Sequence, residues 1–332
     1  MALQTVSNLE RIKKPTAANS ATKPTRLNPR AKYKNHPNTG SIGNFPTTPL
    51  SGTVFTRPNT RENILSAAPD PELIQVTEFG PLPKVGADGR RPYQVYAKPF
   101  EYTDKRPRIG IVVTGLGLSD AATESAIQGL PGSVTLAFAP YSSRITEWIY
   151  LARTAGHEVL VNIPMEPLDY PTFNPGPHAL LTTIGVNGNL DRLLWNLGRS
   201  SGYVGVVDFY GSRFTGSRKH MRPILAELKK RGLLYLDSGS SPQPVAALLS
   251  HQLRLPIAES TLTLDERVSR REIDKKFNEL EKRAALVGNA IGIASPFPVS
   301  LERIAVWVRL LRARGYAIAP ITALVQSVFK EP

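Results

Sequence analysis

The chain has 332 residues, 41% of them hydrophobic, which suits one large domain with a tail or two modest domains. It carries 41 Lys and Arg against 27 Asp and Glu, a net charge of +14 that favours anionic partners: nucleic acid, acidic lipid or acidic glycan. The absence of cysteine excludes disulfides and thiolate metal sites, and no run reaches the roughly 18 apolar residues of a membrane helix.

The first residues, MALQTVSNLERIKK, lack the apolar stretch of a secretory leader. Residues 1–61 read as a disordered basic tail. They are rich in Pro, Thr and Asn, show no helical or strand period, and carry ten basic residues between Arg11 and Arg61 against one acid, Glu10. Such an arm suits an anionic membrane surface better than nucleic acid, because aromatics for base stacking are sparse (Tyr33, Phe45, Phe55). Residues 62–107 read as a linker that packs on the body, with a short alternating run at Tyr93–Tyr96.

From Arg108 the pattern becomes regular, and 108–328 is expected to form one barrel domain. Arg108–Leu116 reads as a buried parallel strand and Ser119 as the cap of a helix through Gln128. Strands follow at Val134–Ala139, Glu158–Ile163, Val204–Tyr210, Leu233–Asp237, Ser260–Leu264, Ala290–Ala294 and Ala317–Ile321. Helices are expected at Ser143–Ala155, Leu190–Leu197, Ser217–Arg231, Pro242–Gln252, Arg270–Val287 and Leu301–Arg314, with Gly232, Gly288 and Gly315 as stops. About eight β/α units imply a parallel sheet, here a distorted (β/α)7–8 barrel. Gly115-Leu116-Gly117 lacks the third glycine of a dinucleotide fingerprint and reads as a turn.

In such folds the chemistry lies at the carboxyl ends of the strands. The polar residues that fall there are Thr114, Asn162, Glu166, Asp208, Arg213, Asp237, Asp265 and Ser295. Glu166, Asp208, Asp237 and Asp265 together suggest a polar pocket, although Glu166 could brace a turn, Asp237 and Asp265 could cap helices, and Asp208 could pair with Arg213. Of the five histidines only His178, in the loop after the third strand, could reach this face. His157 precedes its strand and belongs to the opposite end, in a packing or surface role. One histidine is far from the three protein ligands of a catalytic zinc, and no HExxH or GxSxG motif occurs.

The segments RIGIVVTGLG, LPGSVTLAFAPY, ARTAGHEVLVNIPMEP, PGPHALL, YVGVVDFYGSRFT, LKKRGLLYLDSGSS, AIGIASPFPVSLERIAVW and RGYAIAPITAL resemble, in order, the divergent polysaccharide deacetylases. The resemblance covers about two-thirds of the chain and implies a distorted barrel descended from metal-dependent hydrolases of N-acetylated sugars. In that chemistry a divalent metal such as zinc polarises the carbonyl and acidifies a bound water, a carboxylate serves as base and a histidine as acid. The family's aspartate pair at the end of the first strand is Thr114 and Gly115 here. Its histidine before the PMEP motif is Asn162, its histidine before GSRFT is Phe209, and its late glycine-histidine-proline is Ala294, Ser295 and Pro296. The base, the acid and the metal ligands are therefore replaced together, and no metal site is expected.

Three readings follow. The first is a deacetylase-fold protein of envelope-glycan metabolism with weak or no metal-dependent deacetylation. It binds a polysaccharide or N-acetyl sugar oligomer through Arg213, Asp265, Asn162, Ser295, Tyr210 and His178, with Tyr141, Phe209 and Tyr210 as stacking faces. The second is an active hydrolase whose site is rebuilt from Asp208, Asp237 and Glu166, with His178 as a further candidate. The third is an interaction protein that works through its basic tail, with the barrel as platform. The resemblance points to a periplasmic or inner-membrane-associated location, while no signal peptide or transmembrane segment is read in the sequence.

Overall fold

The computed structural model describes residues 65–325. The expectation for the tail falls outside the described residues, as do the outermost residues of the expected linker and barrel.

A hairpin, β1 (Ile74–Thr77) and β2 (Gly80–Pro83), and a one-turn helix, α1 (Pro92–Val95), precede the body. The described part of the expected linker, residues 65–107, thus carries a hairpin and a helical turn. Its hairpin rests on a glycine pair: a Cβ on Gly198 would stand 2.0 Å from the Phe79 carbonyl oxygen, and one on Gly80 would stand 2.3 Å from the Gly198 oxygen. The body then alternates: β3 (Arg108–Leu116), α2 (Asp120–Gly129), β4 (Thr135–Phe138), α3 (Ile145–Thr154), β5 (Val159–Met165), α4 (Val186–Leu197), β6 (Gly205–Tyr210), α5 (Arg218–Lys230), β7 (Leu234–Asp237), α6 (Ala246–Leu253), β8 (Ile257–Glu259), β9 (Leu262–Thr263), α7 (Arg270–Val287), β10 (Asn289–Ala294), α8 (Pro298–Leu311) and β11 (Ala317–Ile318). Local chemistry sets several boundaries. Ser119 and Ser269 cap α2 and α7 by accepting from Ala122 N–H and Glu272 N–H, and Gly288 ends α7 in the left-handed conformation.

The nine-stranded sheet is parallel throughout, in the order β8-β7-β6-β5-β4-β3-β10-β9, with β11 beside β3. Its two ends, β8 and β9, are separated in sequence only by Ser260 and Thr261. The Ser260 N–H donates to the Asp237 carbonyl of β7, and the Thr261 N–H donates to the Ile291 carbonyl of β10. Neighbouring residues thus bond to opposite margins of the sheet, so the sheet curls until its edges meet. The expected strand Ser260–Leu264 is this bend followed by the whole of the short β9. The ring has seven positions, with β8 and β9 sharing one, and this is an α/β barrel of the distorted kind the sequence implied.

Strand residues alternate between two apolar layers. Ile109, Ile111, Val113, Val161, Val206 and Tyr235 pack outward against the helices, with Trp148, Leu193 and Leu228. Val112, Leu160, Val207, Leu236, Ala258 and Ile291 pack inward. The amino-terminal end of the barrel is plugged. Ile321 and Leu324 fill the inner layer, and Gly110 makes room for them: a Cβ there would lie 2.5 Å from Leu324 Cδ1. Buried polar groups lock this end. The Glu158 carboxylate accepts from the Lys98 N–H at 3.2 Å, from the Thr322 N–H at 3.0 Å and from the Thr322 hydroxyl. Arg153 donates to the Tyr96 and Ser66 carbonyls at 3.1 and 2.7 Å. His157, also at this end, is fully buried, with its ring nitrogens 2.8 and 3.2 Å from the Val134 and Ile127 carbonyl oxygens.

Candidate functional site

The carboxyl ends of the strands form the other end of the barrel, its mouth. β3 stops being regular here: its register against β4 shifts between Val113 and Leu116, and Gly115 and Gly117 take φ of 76° and 87°. The irregular turn aims the Gly115 N–H at Asn162 Oδ1, 2.9 Å away on β5. Asn162 is fully buried and its Nδ2 has no partner. Thr114, also buried, donates weakly to the Ala294 carbonyl at 3.4 Å. Phe209 at the end of β6 reaches across the opening, since a Cβ on Gly115 would lie 3.4 Å from Phe209 Cζ although β6 and β3 are three places apart in the sheet. Its ring packs on Tyr210 (centroids 4.2 Å apart), which packs edge-on against Phe173 at 4.5 Å. Tyr210 is held at φ 73°, a conformation costly for a residue with a Cβ. The rim is therefore aromatic. Beside it His178 stacks on Trp195 with centroids 3.6 Å apart, Tyr141 lies 5.8 Å from Trp195, and the His178 N–H donates to the Tyr141 hydroxyl. Burial, together with Arg192 and Arg199, lowers the His178 pKa.

The four carboxylates do not meet in one pocket. Asp208 is 1% exposed and accepts from the Tyr235 hydroxyl (2.9 Å), the Ser238 N–H (2.8 Å), the Ser238 hydroxyl and the Ser240 hydroxyl (2.9 Å). It braces the turn after β7 and is not paired with Arg213. Glu166, equally hidden, accepts from the N–H and hydroxyl of Thr182 and lies 3.5 Å from Arg213 Nε, while its carbonyl accepts from the Arg213 and Phe214 N–H groups. It ties together the loops after β5 and β6. Asp265 accepts from the Ser295 N–H at 2.9 Å and the Ser300 hydroxyl at 2.7 Å, fastening the start of α8. Burial raises its pKa against those two bonds. Asp237 differs: Oδ1 accepts from the Gly239 N–H, but Oδ2 is buried without a partner. Burial first, then the charges of Asp208 and Glu259, push its pKa up to about 7. Asp237 is thus closed off from solvent, and Glu166, Asp208 and Asp265 are engaged by donors. Asp265 bonds through Oδ2 alone, so its Oδ1 is left without a donor.

A resident metal, the expectation drawn from the resemblance, fits these residues poorly. The Gly115 N–H already occupies one lone pair of the buried Asn162 Oδ1, and a neutral amide oxygen is a weak ligand. Thr114 and Ser295 are neutral hydroxyls, and Phe209 offers no donor atom at all. Among the described residues no group of three or more His, Cys, Asp or Glu side chains could hold a metal ion. Sequence reasoning missed Phe173 and Trp195. Each stands on a loop or helix between strand ends, where an aromatic without a core partner is the available signal.

Comparison with known proteins places this geometry. A family model described as divergent polysaccharide deacetylase matches residues 111–325. The uncharacterized protein YibQ of Escherichia coli K12 is 25% identical over 228 residues, covering 68% of each chain. An uncharacterized protein of Haemophilus influenzae is 22% identical over 192 residues, 58% of this chain and 67% of its own. The crystal structure of the uncharacterized protein ATU2773 from Agrobacterium tumefaciens C58 matches with a TM-score of 0.73 at 40% identity, over 74% of this chain and all of that one. With most of the described barrel matched in sequence and in shape, the chain belongs to the divergent polysaccharide deacetylase family.

Proposed function

We propose that the chain binds a glycan, a polysaccharide or an oligomer of N-acetylated sugars, across the barrel mouth without hydrolysing it by metal chemistry. The observation that carries this reading is Phe209. An apolar ring lies over the opening where the resemblance would place a histidine, and it extends a platform through Tyr210 to Phe173. Aromatic faces flanked by a few polar groups suit the alternating apolar and hydroxylated faces of sugar rings. Family membership supports a sugar as the ligand, and the engagement of Glu166 and Asp208 by donors, with the burial of Asp237, favours binding over a site rebuilt from these three.

The test is calorimetric titration of the full chain with chitotetraose, alongside an acetate-release assay with zinc present. Saturable binding without acetate release supports the reading. Release of acetate in proportion to added zinc would refute it.

A further inference from the structure

We infer that an open cleft beside the mouth is an anion subsite, which takes a carboxylate or phosphate carried by the glycan; this rests on the glycan-binding reading above. The cleft has a volume of about 480 Å³, and no acidic residue lines it. Arg213 is its one charged lining residue, with 46% of its side chain exposed. Its Nε faces Glu166 at 3.5 Å and its Nη2 donates to the Leu168 carbonyl at 2.7 Å, which leaves Nη1 turned to no protein acceptor. Glu166 does not line the cleft: its side chain is 3% exposed, is held by Thr182, and pairs with the Nε edge of the guanidinium.

The other lining groups are hydroxyls and an amide. Ser212 Oγ accepts from the Leu168 N–H at 3.0 Å, and Ser241 Oγ accepts from the Gln243 N–H at 3.2 Å. Each hydroxyl therefore still has its proton to donate. A guanidinium edge and two hydroxyl donors lining one cleft are groups from which a planar carboxylate or a phosphate accepts.

The surroundings add positive potential. α5 begins immediately after the lining residue Ser217 with Arg218 and Lys219, both exposed, and has no acid in its first turn. That reverses the usual preference for acids at a helix start, so basic side chains and the helix dipole add on the same side. The cleft also continues the aromatic rim. Tyr210 and Arg213 are three residues apart, at most about 10 Å of chain, so one oligomer can touch both.

The experiment compares three probes by calorimetry on the full chain, at about 50 and about 300 mM NaCl: chitotetraose, an N-acetylglucosamine–N-acetylmuramic acid tetrasaccharide, which carries carboxylates, and inorganic phosphate alone. The expected result is that the acidic tetrasaccharide binds about tenfold tighter than chitotetraose at low salt and loses most of that advantage at high salt. Arg213→Gln should erase the advantage of the acidic tetrasaccharide over chitotetraose, read as the ratio of the two affinities in the folded variant. Because Arg213 also braces Glu166, the exposed pair Arg218→Gln with Lys219→Gln serves as a second variant. It should cut the advantage about two- to threefold with an unchanged melting temperature. Equal affinity for the two oligomers, or an advantage that survives in folded Arg213→Gln, overturns the inference and leaves the glycan reading standing. Failure of both oligomers to bind removes the glycan reading and this inference with it. Phosphate alone binding as tightly as the acidic tetrasaccharide overturns the assignment to a glycan-borne anion.

Discussion

The two ends of the barrel bury polar groups to different ends. At the amino-terminal end Glu158, Arg153 and His157 are buried, and Lys98 half-buried, beside an apolar plug, and their hydrogen bonds run to segments distant in sequence: the chain before β3, the chain after β11 and the turn before β4. At the mouth Glu166, Asp208 and Asp265 also bond inward, but what they hold are loops, and the loops carry an aromatic rim and a half-exposed arginine. The lesson is that a carboxylate at the carboxyl end of a barrel strand is not by itself a catalytic group. Its partners decide, and here they make it a strut for the groups that face the ligand.

The comparison can be broken first at the sealed end. Glu158→Ala leaves the Lys98 N–H and both Thr322 donors unpaired, which should cost about 3–5 kcal/mol in urea denaturation. Chitotetraose affinity should stay unchanged wherever the protein remains folded; a large loss of affinity at small loss of stability would place function at the wrong end. Next comes Asp237. Its folded carboxyl titrates near 7 against an ordinary value of 3.8. Between those values the unfolded chain has released a proton that the folded chain keeps, so this group makes stability rise as pH falls from about 7 to about 4. Asp237→Asn should remove on the order of 2 kcal/mol of that pH dependence, read as the difference between wild-type and variant denaturation midpoints at pH 5 and pH 8. An identical pH profile in the two proteins would contradict the account of its burial.

Smaller effects sharpen the description of the mouth. Phe209→Ala should weaken chitotetraose about tenfold, roughly 1.4 kcal/mol, and cost a similar amount of stability. Tyr210→Gly separates the two quantities. Glycine accepts φ near 73° without the Cβ penalty, so melting temperature should hold or rise while affinity falls about threefold. If Tyr210→Gly lowers the melting temperature and spares affinity, the ring serves packing and not recognition.

Much of the barrel was legible because its strands are β-branched runs and its helices end on glycine. Arg108–Leu116 and Arg270–Val287 fall where the sequence places them. The closing bend was not legible: Ser260 and Thr261 bond to β7 and β10, and nothing local says that two neighbouring residues will serve opposite edges. Nor was the phase of the buried strands. In Val-Val-Asp-Phe-Tyr, from Val206 to Tyr210, both faces of β6 are apolar, so alternation cannot tell that Asp208 turns to the Tyr235 side while Phe209 crosses the mouth. Thr114, Asn162 and Phe209, where the resemblance would place the family's ligands, can be read from the sequence alone. The engagement of Glu166 cannot, because its partner Thr182 lies 16 residues away in a loop without periodicity.

The central claim is that the mouth recognises sugar and has exchanged metal ligation for an aromatic platform. Its most direct test is titration of the metal-stripped full chain with chitotetraose, repeated after one equivalent of zinc is added. The account predicts the same saturable binding in both titrations and no acetate released. Binding that requires zinc, with acetate appearing in step, would contradict it.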